Sequence, residues 1–215
     1  MAWYFYCPLL NSKECTRMIL EGIVTTLNAQ GTPNISPMGP NVDDQLNRFS
    51  LQPYRSSLTY QNLKQNGQGV LHVTDDVELL ARAAVKQLDP LPTLQPTTAI
   101  DGVILSDACR WYAFRVTELD DSQERTRIEC EVVDRGRLRD FFGFNRAKHA
   151  VVEAAILATR TQFLPAAEIR AEFDRLAVIV KKTAGDQERR AFDFLREFID
   201  VEISAMDKFG ESSSA

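Results

Sequence analysis

Histidine is nearly missing from this chain, with two in 215 residues. A multi-histidine metal centre is therefore excluded. Cysteine is sparse as well. Cys7, Cys15, Cys109 and Cys130 are all there are, and no two stand in a C-x-x-C pair, which removes the zinc ribbon and the thioredoxin-type dithiol. Free and mostly buried thiols in a reducing cytoplasm are the expectation. Basic charge is not in excess. Lys and Arg number 25 against 30 Asp and Glu, a formal net charge of -5, so the electrostatic footprint of a nucleic-acid binder is lacking. A local basic pocket for a small anion is still compatible with that balance. No run reaches the ~20 apolar residues of a membrane span. The apolar opening MAWYFYCPLL lacks a basic flank and is broken by Pro8, so it does not read as a signal peptide. There is no Walker loop, no G-x-G-x-x-G and no G-x-S-x-G elbow.

What is present divides the chain in two. The first half reads as β structure. Met18 to Leu27 is rich in β-branched residues, and Asn28 to Gly31 is a turn signal. Thr32 to Val42 follows at hairpin distance but carries Pro33, Pro37 and Pro40, which confines it to an edge or a bulged strand with free backbone groups. Further strands are expected at Arg48 to Leu51, Gly69 to Thr74, Gly102 to Leu105, Arg110 to Thr117 and Arg125 to Asp134. A short helix is expected at Thr59 to Lys64, and another from Val77 to Leu88 behind Asp75 and Asp76 as N-caps. Asp89 to Thr98, with three prolines, reads as a loop. The second half is helical. The expected helices run from Arg146 to about Gln162, from Pro165 to about Thr183, and from Asp186 to about Lys208. The expected organisation is an extension over residues 1–17, a barrel over 18–143, a helical region over 144–209 packed on it, and a disordered tail over 210–215. The fold class is mainly β with a helical appendage: a small antiparallel barrel plus helices.

Three segments hold candidate chemistry. Tyr54 to Asn62 (YRSSLTYQN) combines one guanidinium, several hydroxyls and a helix start. Arg55 suits a forked bond to phosphate, Ser56, Ser57 and Thr59 donate, and a helix N-terminus favours an anion. The same residues also suit a polar, serine-capped surface loop. Pro33 to Pro40 (PNISPMGP) offers a wall poor in side chains, where Asn34 and Ser36 can bond ring heteroatoms and Met38 can pack on a ring. On its own, a bulged edge strand explains it better. Phe144 to His149 places Arg146 and Lys148 against the dipole of a helix capped by Asn145, a conflict that an anion would relieve. His149 and Glu153 have metal-ligand spacing, but no further ligands accompany them, and a metal site is not expected. Glu21, Asp43, Asp44, Asp75 and Asp76 read as solvated or capping carboxylates.

Taken together, Ile19 to Pro40, Arg55 to Leu63, Val70 to Asp76 and Phe144 to Arg160 resemble domain-of-unknown-function family 447, of the FMN-binding split-barrel, flavin-reductase-like type. The order and spacing match across most of Met18 to Arg160. The resemblance implies a homodimer with flavin at the interface. Asn34, Ser36, Met38 and Gly39 would border the ring. Arg55, Ser56, Ser57, Thr59 and Asn62 would hold the phosphate. Asn145, Arg146 and His149 would approach from the helix, across the dimer. FMN is the implied cofactor, with a deazaflavin as the alternative. The implied activity is a flavin-dependent oxidoreductase of unassigned substrate, with NAD(P)H or another small molecule as partner. A flavin carrier or sensor without turnover, and a ligand-free split barrel, are the other readings, because fold alone does not settle function. Neither nucleic acid nor membrane is expected as a partner.

Overall fold

The computed structural model describes residues 18–212, with side chains described through residue 205. The expected extension over residues 1–17, with Cys7 and Cys15, lies outside the described residues, as do residues 213–215 of the expected tail.

The described strands and helices follow in the order β1 (Met18–Ile19), β2 (Gly22–Leu27), β3 (Pro33–Met38), β4 (Asn41–Val42), β5 (Arg48–Leu51), α1 (Leu58–Asn66), β6 (Gln68–Val73), α2 (Val77–Ala84), β7 (Leu94–Pro96), β8 (Val103–Leu105), β9 (Arg110–Asp120), β10 (Arg127–Arg137), α3 (Arg146–Ala158), α4 (Ala166–Thr183) and α5 (Asp186–Ser212). Eight strands form one antiparallel sheet in the order β1-β4-β5-β10-β9-β6-β2-β3, and β7 and β8 make a separate ribbon. The fold is a curled antiparallel half-barrel with helices, the split-barrel architecture expected from the sequence.

The first hairpin shows how the barrel closes. β2 pairs with β3 from Gly22 opposite Met38 to Leu27 opposite Pro33, and β1 pairs with β4 at Met18 opposite Val42. These four strands are one long hairpin interrupted at Leu20–Glu21 and Gly39–Pro40. Its tip half joins the sheet through β2 and β6. Its base joins the opposite edge through β4 and β5. Two residues of chain span only ~7 Å, so the sheet must curl until its two edges lie side by side. Leu20 N–H donates to Pro40 O at 3.0 Å across the interruption. The proline-rich segment is thus an edge strand in β3, and its register with β1 and β2 runs unbroken from Met18 opposite Val42 to Leu27 opposite Pro33, without a bulge. The expected strands 18–27 and 32–42 are each cut in two because one continuous strand cannot serve both edges.

Alternation on β2 sorts the core. Val24 points into the barrel with Leu71, Phe114, Leu51 and Ile128, where Phe49 and Phe114 meet edge to face with centroids 5.1 Å apart. Ile23 points outward into the helical layer. The alanine face of α3 (Ala147, Ala150, Ala154, Ala155, Ala158) is buried, as are Phe192, Leu195, Ile199 and Ile203 of α5. Small side chains let α3 approach closely, and Phe173 of α4 stacks on Phe192 at 5.5 Å. Burying these apolar faces drives the helices onto the barrel.

Some boundaries differ from the sequence expectation. α2 stops at Ala84 because Lys86 adopts a left-handed φ of 58°. α3 stops at Ala158, where Arg160 N–H turns back to Leu157 O at 2.9 Å. The stretch expected as a proline loop contains β7, which pairs with β8 from Leu94 opposite Leu105. Pro96 ends that strand on an edge, where a missing N–H is tolerated. α5 runs through Ser212, three residues into the expected tail.

Candidate functional site

A cleft of about 720 Å³ opens where the barrel is split. One wall is the hairpin interruption, with Ile19, Glu21, Pro37, Met38 and Gly39. The facing wall is the apolar side of α3, with Val152, Ala155 and Ile156. One end is closed by Tyr54, Ser57, Thr59 and Arg125, and Arg160 and Phe163 stand at the rim. Gly39 is tightly approached. A Cβ there would lie 2.9 Å from Ile19 Cγ2 and 3.2 Å from Glu21 Oε1, so a side chain at this position would have to push both aside. The wall at this point is therefore bare backbone.

The polar end is built by α1. Ser57 is its N-cap and accepts from Tyr60 N–H at 3.2 Å. The N–H groups of Leu58 and Thr59 have no intrahelical acceptor at this position in a helix, and the first turn carries no acidic side chain. A favourable field for an anion remains. Arg125 supplies a full positive charge. Its Nε donates to Gln52 O at 3.3 Å. The helix is pinned from behind: Tyr60 Oη and Lys64 Nζ both donate to Asp121 Oδ2 at 2.6 Å. The hydrogen bonds from Lys64 and Tyr60 hold the Asp121 carboxyl down at about 2.

Of the residues singled out in the sequence, Met38, Gly39, Ser57 and Thr59 line this cleft together. Asn34 sits one layer behind, its Nδ2 donating to Thr59 Oγ1 at 3.1 Å. Asn62 is buried deeper and donates to Thr26 Oγ1 at 3.0 Å, which fixes α1 to β2. Ser36 is half-buried on β3, and Arg55 and Ser56 are exposed outside the lining. The cation at the anion end is Arg125, which sequence reading passed over. It is brought beside Tyr54 by a bridge between Tyr54 and Arg125 that links distant segments, a pairing without a local signal.

The α3 cluster lies elsewhere. Asn145 Oδ1 accepts from Ala147 and Lys148 N–H, and its Nδ2 donates to Thr183 O at 3.1 Å. The positive charge of Lys148 at the helix start is met by Glu188 at 2.8 Å. A protein carboxylate thus meets one of the two charges that had suggested a bound anion. Arg146 and His149 are exposed, with the His149 ring 6.1 Å from that of Phe144.

The two described cysteines are buried. Burial pushes both thiols up, with the Asp75 charge adding at Cys109 and the Glu129 charge at Cys130, so neither is poised as a nucleophile. His72 is fully buried, its Nδ1 paired with Ile23 O and its Nε2 accepting from Leu105 N–H, both at 3.1 Å. It is a structural strut between β2, β6 and β8. No described helix is long and apolar enough to cross a membrane.

Residues 20–139 match the family described as protein of unknown function DUF447, N-terminal domain, and residues 145–197 match its C-terminal counterpart. The chain belongs to the DUF447 family. Among solved structures, an FMN-bound DUF447 protein from Methanosarcina mazei superimposes with a TM-score of 0.75 at 21% identity, covering 86% of this chain and 96% of that one. A flavin reductase domain protein from Arthrobacter sp. FB24 follows with a TM-score of 0.50 at 21% identity, over 58% of this chain and 81% of that one. Flavin reductase HpaC in complex with NADP+ gives 0.50 at 21%, over 59% and 82%. These likenesses establish the flavin-reductase-like split barrel as the fold. No curated protein matches the chain.

The DUF447 cleft has the donor set a flavin nucleotide asks for. A cation, two cap-region hydroxyls and free helix N–H groups occupy one end, and a side-chain-poor wall faces an apolar one along the rest.

Proposed function

We propose that this DUF447 protein binds FMN in the cleft at the barrel split and acts as a cytoplasmic, homodimeric, flavin-dependent oxidoreductase. The observation that carries the reading is the coexistence, in one cleft of about 720 Å³, of an anion-binding end and a flat wall made by Pro37, Met38 and Gly39. The volume lies within the range of cofactor and small-molecule sites.

In this reading Ser57, Thr59 and Arg125 hold the phosphate, with Asn34 keeping the Thr59 hydroxyl in place. Met38 and Gly39 border the ring from one side, and Val152, Ala155 and Ile156 exclude water from the other. Bound FMN would supply two-electron chemistry, with NAD(P)H as the reductant class, and the protein's task is to position and tune it. The solved relatives bound to FMN and to NADP+ support both choices.

The dimer is supported by a row of exposed apolar side chains after β10. Phe142 is 86% and Phe144 95% exposed, with Leu138 and Phe141 beside them. A monomer rarely leaves such a patch in water.

The deciding experiment is the visible spectrum of the purified protein, with any released chromophore identified by mass, followed by FMN and deazaflavin titration. FMN at one per subunit and subsequent oxidation of NAD(P)H under anaerobic conditions support the reading. A folded protein that takes up neither flavin overturns it. FMN binding without turnover of NAD(P)H leaves a carrier or sensor.

A further inference from the structure

The flavin reading of the cleft leaves one group without a task. Glu21 lies at the interruption between β1 and β2, on the cleft wall. Its two carboxyl oxygens are 3.2 and 3.5 Å from the place a Cβ on residue 39 would take, so the carboxyl group rests against the bare backbone of Gly39. No ion pair involves Glu21 or Glu153 among the described residues. Glu21 is solvent-accessible in the free protein; partial burial of its carboxyl group, and then the like charge of Glu153 on α3, push it up from its ordinary range. The other titratable groups of the cleft are Tyr54, Arg125 and Arg160, and neither guanidinium pairs with Glu21. A carboxyl group without a cation partner, beside a like charge and on a wall that a bound ring would cover, takes up a proton more readily than a free one.

Resting on the flavin reading, we propose that Glu21 is a ligand-binding hydrogen-bond donor: its carboxyl group carries a proton in the loaded protein and donates it to an acceptor atom of the bound heterocycle. Apart from its one imide N–H, the oxidised flavin ring presents carbonyl oxygens and imine nitrogens, which accept and do not donate. A neutral carboxyl can serve them, and an ionised one cannot. Gly39 matters to the same end, because any side chain at that position would displace the carboxyl group. Glu153 acts through Glu21, as a positioning charge that favours its protonated form.

Linkage makes the proposal testable without turnover. If the ligand prefers protonated Glu21, binding must raise the pKa of Glu21 by the factor in which protonation strengthens binding. The measurement is the carboxyl ¹³C titration of the full chain, with and without saturating FMN, the resonance being assigned through Glu21→Gln. The expected result is a Glu21 midpoint above the ordinary glutamate value in the free protein, a further rise with FMN, and a fall in the free protein carrying Glu153→Gln. FMN affinity, measured at several pH values, separates the variants. Glu21→Gln keeps a neutral donor and should bind within about threefold of wild type, whereas Glu21→Ala should lose about tenfold, the worth of one hydrogen bond.

A Glu21 midpoint that falls or stays fixed on FMN binding overturns the proposal, since an ionised carboxylate accepting the ring imide N–H would fall. Equal weakening by Gln and Ala overturns it as well. Absence of FMN binding to the folded wild-type protein at every pH is a different outcome. It removes the cofactor reading itself, and the proposal with it.

Discussion

The Arg125 guanidinium lies 5.7 Å from the centre of the Tyr54 ring, and the backbones of the two residues are bridged. The ring holds the cation at the cleft end facing the start of α1, while Arg55, nearer in sequence to that helix, stays outside the lining. Arg125→Ala should therefore weaken FMN binding about tenfold to a hundredfold, the loss of one charged hydrogen bond of ~1.5–3 kcal/mol. Arg55→Ala should cost clearly less. Parallel fluorescence titrations of the two variants check this, and a larger loss at Arg55 would reassign the phosphate grip.

His72 makes stability pH-dependent in a defined window. Burial pushes its imidazole down to about 4, while an unfolded histidine titrates near 6.5. Between these values the unfolded chain binds the extra proton, so stability falls as pH drops from about 6.5 toward 4. The loss is about 3 kcal/mol at the bottom of the window, at about 1.4 kcal/mol per unit. Urea unfolding of wild type and His72→Gln from pH 7.5 to 4 should show a steep wild-type slope that the variant lacks, on a lower baseline.

Asp75 secures the segment between β10 and α3. Its carboxylate accepts from Arg139 and, at 2.8 Å, from Phe142 N–H. Burial pushes the group up, but these hydrogen bonds outweigh it and hold it down at about 2. The stabilisation is present above the ordinary carboxylate value and is lost as pH falls from about 4 toward 2. Asp75→Asn should destabilise the fold by about 2 kcal/mol and speed amide exchange across Leu138 to Phe144 while leaving the barrel strands protected. Hydrogen-exchange mass spectrometry reads both.

The aromatic row tests the assembly. Phe142→Ser combined with Phe144→Ser removes two side chains that are almost fully exposed, so the monomer fold should be unaffected. Sedimentation should show a shift from dimer to monomer. If FMN binding falls with it while the thermal midpoint holds, the partner copy completes the cleft.

Much of this fold was legible because local chemistry and global packing agree. The Ser57, Asp76 and Asn145 caps, the alanine face of α3 and the apolar stripe of α5 all follow from spacing of a few residues. The expectation of an edge or bulged strand at Pro33 to Pro40 followed from proline's missing donor. What stayed hidden depends on pairs far apart in sequence. Glu188 neutralises Lys148 from 40 positions away, and only the folded chain shows that pairing. Arg125 and Glu21 join the cleft through a long-range bridge within the chain and a strand interruption, and neither leaves a periodic trace. β7 was obscured by the prolines around it, because its partner strand, and not its own propensity, makes it a strand.

The interruption at Leu20–Glu21 also sets how much change the chain tolerates. Most turns between strands absorb an added or lost residue as slack, but here the two residues are the seam of the barrel. One residue more or less would slip the register of whichever strand gives way, and a slip of β2 would send Val24 outward and Ile23 into the barrel. Length at this seam therefore constrains the barrel as directly as any side chain in the cleft it borders.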